Sequence, residues 1–107
     1  MQTFYTFYCV DDPAHQALRE THLEAHLAHV EAHLDAYVLA GPLKAPNTDA
    51  VIGSLFILRG ESLSAAQVVM DADPYMAGPL YASVTVTPMT GAAGSAVGGA
   101  AWKALLE

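Results

Sequence analysis

The amino-acid sequence predicts an α+β fold with the element order βαββαβ. Four segments rich in aromatic and β-branched residues, separated by turn signals, predict the strands. Two segments between them carry helix-start residues and apolar residues at helical spacing, which predicts the helices. With 107 residues, 53% of them hydrophobic, the chain is long enough for one domain with a modest core.

The first strand and the first helix follow directly from the beginning of the chain. Aromatic and apolar side chains fill residues 2–10, with threonines between them, which is typical of a strand. Asp12 then suits a helix N-cap and Pro13 the first helical position, so a helix is expected over residues 13–36. Its apolar face is formed by Leu23, Leu27, Val30 and Leu34.

The remaining elements are two strands, a helix and a last strand, predicted at residues 37–40, 51–59, 63–72 and 80–88. Gly41-Pro42 ends the second strand, and Gly53-Ser54 marks a bulge or a close backbone approach in the third. Ser62 caps the second helix, and Asp73-Pro74 stops it because proline disfavours a helical conformation in the residue before it. The last strand alternates well, with one face formed by Tyr81, Ser83, Thr85 and Thr87.

This order is the ferredoxin-like arrangement, in which two helices cover one face of a four-stranded antiparallel sheet. The opposite face of so apolar a sheet must also be covered, and a second copy of the chain is the usual solution. We therefore expect a homodimer.

The domain is predicted to cover residues 1–88, followed by a Gly/Ala-rich tail at residues 89–107. Residues 90–101 are almost entirely Gly, Ala, Ser and Val, a composition typical of a flexible linker. Residues 102–107 form a short apolar end, for which docking on the body, docking on a partner subunit and disorder all stay open.

The charge of the chain excludes several classes of partner. The formal net charge is −7, and the four basic residues are scattered, so the concentrated cationic patch that nucleic acids require is absent. An acidic surface also disfavours anionic membranes. The sequence starts without a signal-peptide pattern, and Cys9, as the one cysteine, cannot form an internal disulfide, so we expect a cytoplasmic protein. The remaining partners are a small organic molecule and another copy of the chain.

Histidines dominate the first predicted helix. His22, His26, His29 and His33 follow at spacings of four, three and four, which places them in one stripe on a helix. Such a stripe indicates acid–base chemistry or metal binding. A zincin motif is excluded because residue 23 is leucine, and we predict neither a physiological metal nor a cofactor. With His15, the histidines at 29 and 33 are expected to be solvated.

Several segments together resemble the YciI-like (YCII-related) family, in the family's order and over residues 3–88. They are Tyr8-Cys9-Val10-Asp11-Asp12, Ala25-His26-Leu27-Ala28-His29, Ala40-Gly41-Pro42-Leu43, Gly53-Ser54, Asp71-Ala72-Asp73-Pro74-Tyr75 and residues 81–88. The resemblance implies a dimeric α+β barrel of ferredoxin-like subunits, with a His–Asp pair in a pocket.

The same resemblance assigns the pair to particular residues. The family's helix histidine lies in a segment similar to Arg-x-x-His-Leu, for which His26 is the best match and His22 is the rival. Leu23 stands where the family has its arginine, and Arg19 lies one heptad before His26. The family's acidic residue corresponds to Asp73.

A His–Asp pair is chemically suited to general acid–base catalysis, because the carboxylate fixes the imidazole tautomer and stabilises the imidazolium. The sequence has no Gly-x-Ser-x-Gly nucleophile motif, which favours proton transfer beside a carbonyl, followed by isomerisation or elimination. By analogy with the related fold of muconolactone isomerases, a muconolactone-type substrate is one expectation. The predicted substrate-binding residues are Arg19, His22, Pro42, Ser54 and Tyr75.

Two other functions use the same features. A non-catalytic dimeric module could bind a small ligand, or support assembly, through the same pocket. Metal storage or sensing on the histidine stripe is the third hypothesis.

Overall fold

The computed structural model describes residues 1–106 and contains a four-stranded antiparallel sheet. The strands are β1 (Thr3–Asp11), β2 (Tyr37–Lys44), β3 (Val51–Leu58) and β4 (Tyr81–Thr90). Their order in the sheet is β2-β3-β1-β4, so the two central strands are the first and the third. The predicted α+β class with a four-stranded antiparallel sheet is confirmed.

The core lies between the sheet and the helices. Alternation along β1 turns Tyr5, Phe7 and Cys9 toward the helices, and Phe56 and Leu58 of β3 lie beside them. Helix α3 (Leu63–Asp71) adds two more buried side chains, Ala66 and Met70. These central strands are predicted well because their apolar residues are buried on the helix side.

The prediction of one continuous helix over residues 13–36 is wrong. Residues 13–36 form a 3₁₀ turn at Pro13–His15, α1 (Leu18–Thr21), α2 (Leu23–Ala32) and a second 3₁₀ turn at Leu34–Ala36. His22 separates α1 from α2, with φ −103° and ψ 5°. The break allows Arg19 and His26 to bond two different buried carboxylates, and these tertiary contacts outweigh the helical preference of the segment.

Strand β2 is longer than predicted. It continues through Gly41-Pro42 to Lys44, with Pro42 opposite Ser54 of β3. A proline is tolerated there because β2 is an edge strand, and the missing N–H removes no bond to a further strand.

The predicted alternation of the last strand fails at its start. Asp11 pairs with Tyr81 and Val10 with Ser83, so a bulge skips one residue of β4. Tyr81 therefore shares the helix-covered face with Asp11 instead of sharing a face with Ser83.

The tail has more regular structure than a flexible linker. A short hairpin joins β5 (Ala93–Gly94) to β6 (Gly99–Ala100), with 3₁₀ turns at Ser95–Val97 and Ala101–Leu106. Gly98 at the hairpin turn has φ 77°, which glycine adopts without steric cost. The domain boundary at residue 88 stays a prediction, and Glu107 of the predicted apolar end lies outside the described residues. Each helix within residues 1–106 is too short or too polar to span a membrane.

Candidate functional site

A pocket of about 210 Å³ opens between α2 and the edge of the sheet. Its polar lining comes from Arg19 on α1, His26 on α2 and Ser54 on β3. Its other walls are apolar or aromatic and consist of Leu23, Leu27, Val30, Ala40, Gly41, Pro42, Phe56 and Tyr75. An apolar cleft that contains a few polar groups is the usual form of a small-molecule binding site, and this pocket has that composition.

The histidine of the pocket is bonded to a buried carboxylate. Nδ1 of His26 lies 2.7 Å from Oδ2 and 2.9 Å from Oδ1 of Asp73, whose side chain is fully buried. The ionised carboxylate only accepts hydrogen bonds, so Nδ1 of His26 carries the hydrogen and Nε2 of the neutral ring is a free base. The bond thus fixes the tautomer that a general base requires.

Asp73 is itself held by the start of a short helix, α4 (Pro74–Ala77). Its Oδ1 accepts a 2.9 Å hydrogen bond from the backbone N–H of Tyr75, which makes Asp73 the N-cap of α4. The Asp-Pro dipeptide therefore has two structural roles. It ends α3, and it fixes a carboxylate that faces α2.

Aromatic rings fix the orientation of His26. The Tyr75 ring stacks on the imidazole at 3.9 Å with an interplanar angle of 6°, and Phe56 meets it edge-on at 6.0 Å. The hydroxyl of Tyr75 donates a 2.7 Å bond to the backbone oxygen of Arg19, which ties this wall to α1.

A second polar cluster lies at the other end of the pocket. Nε and Nη2 of Arg19 donate to the two oxygens of Asp11 at 2.6 and 2.7 Å, and Nη2 also donates to Ser54 Oγ at 2.8 Å. The Tyr81 hydroxyl donates to the same oxygen at 2.9 Å. Burial opposes the charge of Arg19, but its bonds to Asp11 raise the pKa of the guanidinium overall. Burial also raises the pKa of Tyr81, which keeps that hydroxyl protonated.

Sequence reasoning missed Asp11 and Tyr81 as members of this cluster. Asp11 lies outside the strand predicted at residues 2–10, whereas in the structure residues 5, 7, 9 and 11 share one face of β1 and are buried. That alternation was the available signal. Tyr81 could not be placed, because its orientation depends on the bulge at Asp11.

The structure separates the predicted site residues into two groups. Arg19, His26, Pro42, Ser54 and Tyr75 line the pocket, and Asp73 lies behind His26. His22 lies outside this lining, at the junction of α1 and α2, where its backbone oxygen accepts from the N–H of His26.

Two histidines that were expected to be solvated have structural bonds instead. His29 Nε2 donates to the backbone oxygen of Val69 in α3 at 2.8 Å, and His33 Nδ1 donates to the backbone oxygen of His29 at 2.7 Å. His15 is exposed and pairs with Asp12 at 3.1 Å. Within residues 1–106, no three His, Cys, Asp or Glu side chains cluster closely enough to hold a metal ion.

Cys9 is not equipped to act as a nucleophile. Its side chain is fully buried in β1, and burial raises the pKa of the thiol to about 12. A thiol that stays protonated at neutral pH reacts slowly, because the thiolate is the reactive form.

Comparison with known proteins shows which family and which solved structures this chain resembles. The family model described as "YCII-related domain" matches residues 3–90. Protein YciI of Escherichia coli is 37% identical over 91 residues, covering 78% of this chain and 93% of that protein. Protein YciI of Shigella flexneri gives the same values.

Two solved structures illustrate the likeness of fold. The 5-chloro-2-hydroxyhydroquinone dehydrochlorinase TftG from Burkholderia phenoliruptrix, in complex with 2,5-dihydroxybenzoquinone, has a TM-score of 0.75 and 24% identity, covering 86% of this chain and 96% of that one. Rv0793 from Mycobacterium tuberculosis has a TM-score of 0.50 and 14% identity, covering 84% and 94%. At these identities the comparison concerns the fold alone.

Proposed function

The chain belongs to the YCII-related domain family, and from that premise we propose that it is a small-molecule enzyme that uses His26 as a general base. Asp73 acts as the positioning residue. The observation that carries the proposal is the 2.7 Å bond from His26 Nδ1 to the fully buried Asp73, which makes Nε2 the basic nitrogen of the neutral ring, on a side chain that lines the pocket.

The proposed reaction begins with removal of a proton from a carbon next to a carbonyl group. Nε2 of His26 accepts the proton, the C–H electron pair forms an enolate, and Asp73 stabilises the resulting imidazolium. The enolate then takes the proton back at another carbon, which is isomerisation, or expels an anionic leaving group, which is elimination. Both outcomes balance without an added oxidant or reductant.

Small oxygenated rings are the substrates that this chemistry favours, either lactones of the muconolactone type or hydroxyquinones. The structural neighbour TftG is a dehydrochlorinase bound to 2,5-dihydroxybenzoquinone, which supports elimination on such a ring by analogy. The apolar and aromatic walls of the pocket suit a flat ring of this kind.

A second copy of the chain is the partner we propose. The sheet face away from the helices leaves Tyr8 48%, Leu39 68% and Met89 42% exposed, which is costly for a monomer. Burial of this face against the same face of another copy would give an isologous dimer. A cytoplasmic location remains a prediction from the sequence.

The test is exchange of carbon-bound hydrogen for deuterium, followed by NMR on a set of enolisable ring ketones, lactones and hydroxyquinones. We expect His26→Ala to lower the rate by about 10²–10⁴-fold, the range for loss of a general base. The matched control is His15→Ala, which removes an exposed histidine and should keep the rate. Full activity of a folded His26→Ala variant would refute the assignment.

The alternative is a binding module without turnover, favoured by the predominance of apolar groups in the pocket lining. The same samples separate the two functions. Ligands that bind the wild-type protein without exchanging hydrogen, and that bind His26→Ala equally well, would support the module.

A further inference from the structure

We infer that Arg19 and Ser54 form a subsite for an uncharged carbonyl oxygen, and that Asp11 makes the pocket select neutral ring compounds over carboxylates. The inference rests on the proposed function and narrows it. Of the two ring classes above, it favours the one without a carboxylate.

The first step concerns the unused donors of Arg19. A guanidinium has five N–H groups, of which Nε and Nη2 supply three to Asp11 and Ser54. The two N–H groups of Nη1 have no protein acceptor among residues 1–106. Because the side chain lines the pocket and is 17% exposed, a ligand oxygen can reach them.

The second step concerns the hydroxyl of Ser54, a residue that is only 3% exposed. Its oxygen accepts from Arg19 at 2.8 Å and from Tyr81 at 2.9 Å, which occupies both lone pairs. In this arrangement Ser54 can act further only as a donor, and no hydrogen bond donated by its hydroxyl is formed within residues 1–106. A ligand carbonyl oxygen in the pocket would supply that acceptor.

The third step concerns charge. Arg19 is the one Lys or Arg among the described residues that line the pocket, and it is already paired with Asp11, while a second carboxylate, Asp73, lies behind His26. A ligand carboxylate would add a third negative charge, and in a half-buried cleft that repulsion is appreciable. A neutral carbonyl compound becomes anionic only as His26 takes its proton, so its enolate forms together with a new positive charge.

Two probes of nearly equal size test this selection directly. Acetophenone has an uncharged carbonyl group with enolisable hydrogens, and benzoate has a carboxylate on the same ring. Binding is followed by protein NMR titration. We expect the wild-type protein to bind acetophenone at least about tenfold more tightly than benzoate. Equal affinity, tighter binding of benzoate, or binding of neither probe would overturn the inference.

Single substitutions test whether Ser54 and Asp11 cause the preference for the neutral probe. Ser54→Ala should weaken acetophenone binding by about tenfold, because a carbonyl oxygen loses one donor. Asp11→Asn leaves the charge of Arg19 uncompensated and should shift the preference toward benzoate. Asp35→Asn removes a carboxylate on an exposed residue outside the pocket lining and should leave the ratio unchanged. An unchanged ratio in a folded Asp11→Asn protein contradicts the role of Asp11, and if that variant does not fold, unchanged binding of acetophenone by Ser54→Ala overturns the subsite.

The same samples keep this inference separate from the proposed function. Deuterium exchange into the methyl group of acetophenone reports on His26, whereas the ratio of affinities reports on Arg19, Ser54 and Asp11. Selective binding without exchange would contradict the catalytic proposal and leave the subsite intact.

Discussion

The two main helices that cover the sheet are attached to it in different ways. Helix α3 buries Ala66 and Met70 among the core residues of β1 and β3. Every residue of α2 is at least partly exposed, and Leu23 and Leu27 remain 44% and 53% accessible. Both of these leucines, which would anchor an ordinary amphipathic helix, line the pocket instead.

Polar bonds add to the apolar contact of Val30 with the core in holding α2. His26 donates to Asp73, which follows α3, and His29 donates to the Val69 carbonyl within α3. The site therefore joins a well-packed helix, whose end fixes the carboxylate, to a loosely packed one that carries the imidazole. An apolar wall is left free for a ligand because the histidines do the anchoring.

The largest expected effect contrasts apolar truncations on the two helices. Met70→Ala removes a fully buried side chain and should lower the free energy of unfolding by about 2–5 kcal/mol. Leu27→Ala removes a half-exposed side chain and should cost less than about 1 kcal/mol. Denaturant unfolding at matched protein concentrations measures both. Equal costs would show that α2 is packed as firmly as α3.

The next prediction separates the two roles of Asp73. Asp73→Asn keeps a good N-cap for α4 but replaces the carboxylate that stabilises the imidazolium, so exchange activity should fall by about 10²-fold or more while the cap's share of the stability is kept. Asp73→Ala should lose the same activity and more stability than Asp73→Asn, because it loses the cap, worth about 1 kcal/mol, together with the bond to His26. An Asp73→Asn variant with wild-type activity would show that the charge of this residue is dispensable.

A smaller effect is expected from the bond between the helices. His29→Ala removes the donor to Val69, while the bond from His33 to the backbone of residue 29 is kept. The expected loss in free energy of unfolding is about 0.5–1.5 kcal/mol, with faster amide exchange in α2 than in α3. His15→Ala, at an exposed position, should leave both measurements nearly unchanged. Unaltered exchange in His29→Ala would mean that this bond does not attach α2.

The same contrast explains what the sequence could predict. Strands β1 and β3 and helix α3 follow from local apolar patterns, because burial is the main force that places them. The first helix was predicted as continuous, because its periodicity carries no sign that Arg19 and His26 bond separate carboxylates.

The candidate site divides in a similar way. The residue types of His26 and Asp73 are visible in the sequence, and family resemblance pairs them. The partnership of Asp11 with Arg19, and the inward turn of Tyr81, depend on a β-bulge that shifts the pairing of two strands distant in the sequence. Such a register is set by tertiary packing, so local patterns do not reveal it.

The smallest expected effect is a change in how the free energy of unfolding depends on alkaline pH, and it concerns the buried core that α3 covers. The pKa of the buried Cys9 thiol is raised from its ordinary value of 9.0 to about 12, and burial raises that of Tyr37 to about 12 as well. A group whose pKa is higher in the folded state contributes stability below its unfolded pKa and loses it as pH rises through the folded value. The Cys9 contribution should therefore be complete below pH 9.0 and decline toward pH 12. Cys9→Ala should make unfolding stability fall less steeply across this interval than in the wild-type protein. Equal slopes of stability against pH in the two proteins would mean that the thiol ionises as readily in the folded chain as in the unfolded one. The core around β1 would then be open to solvent, like the pocket.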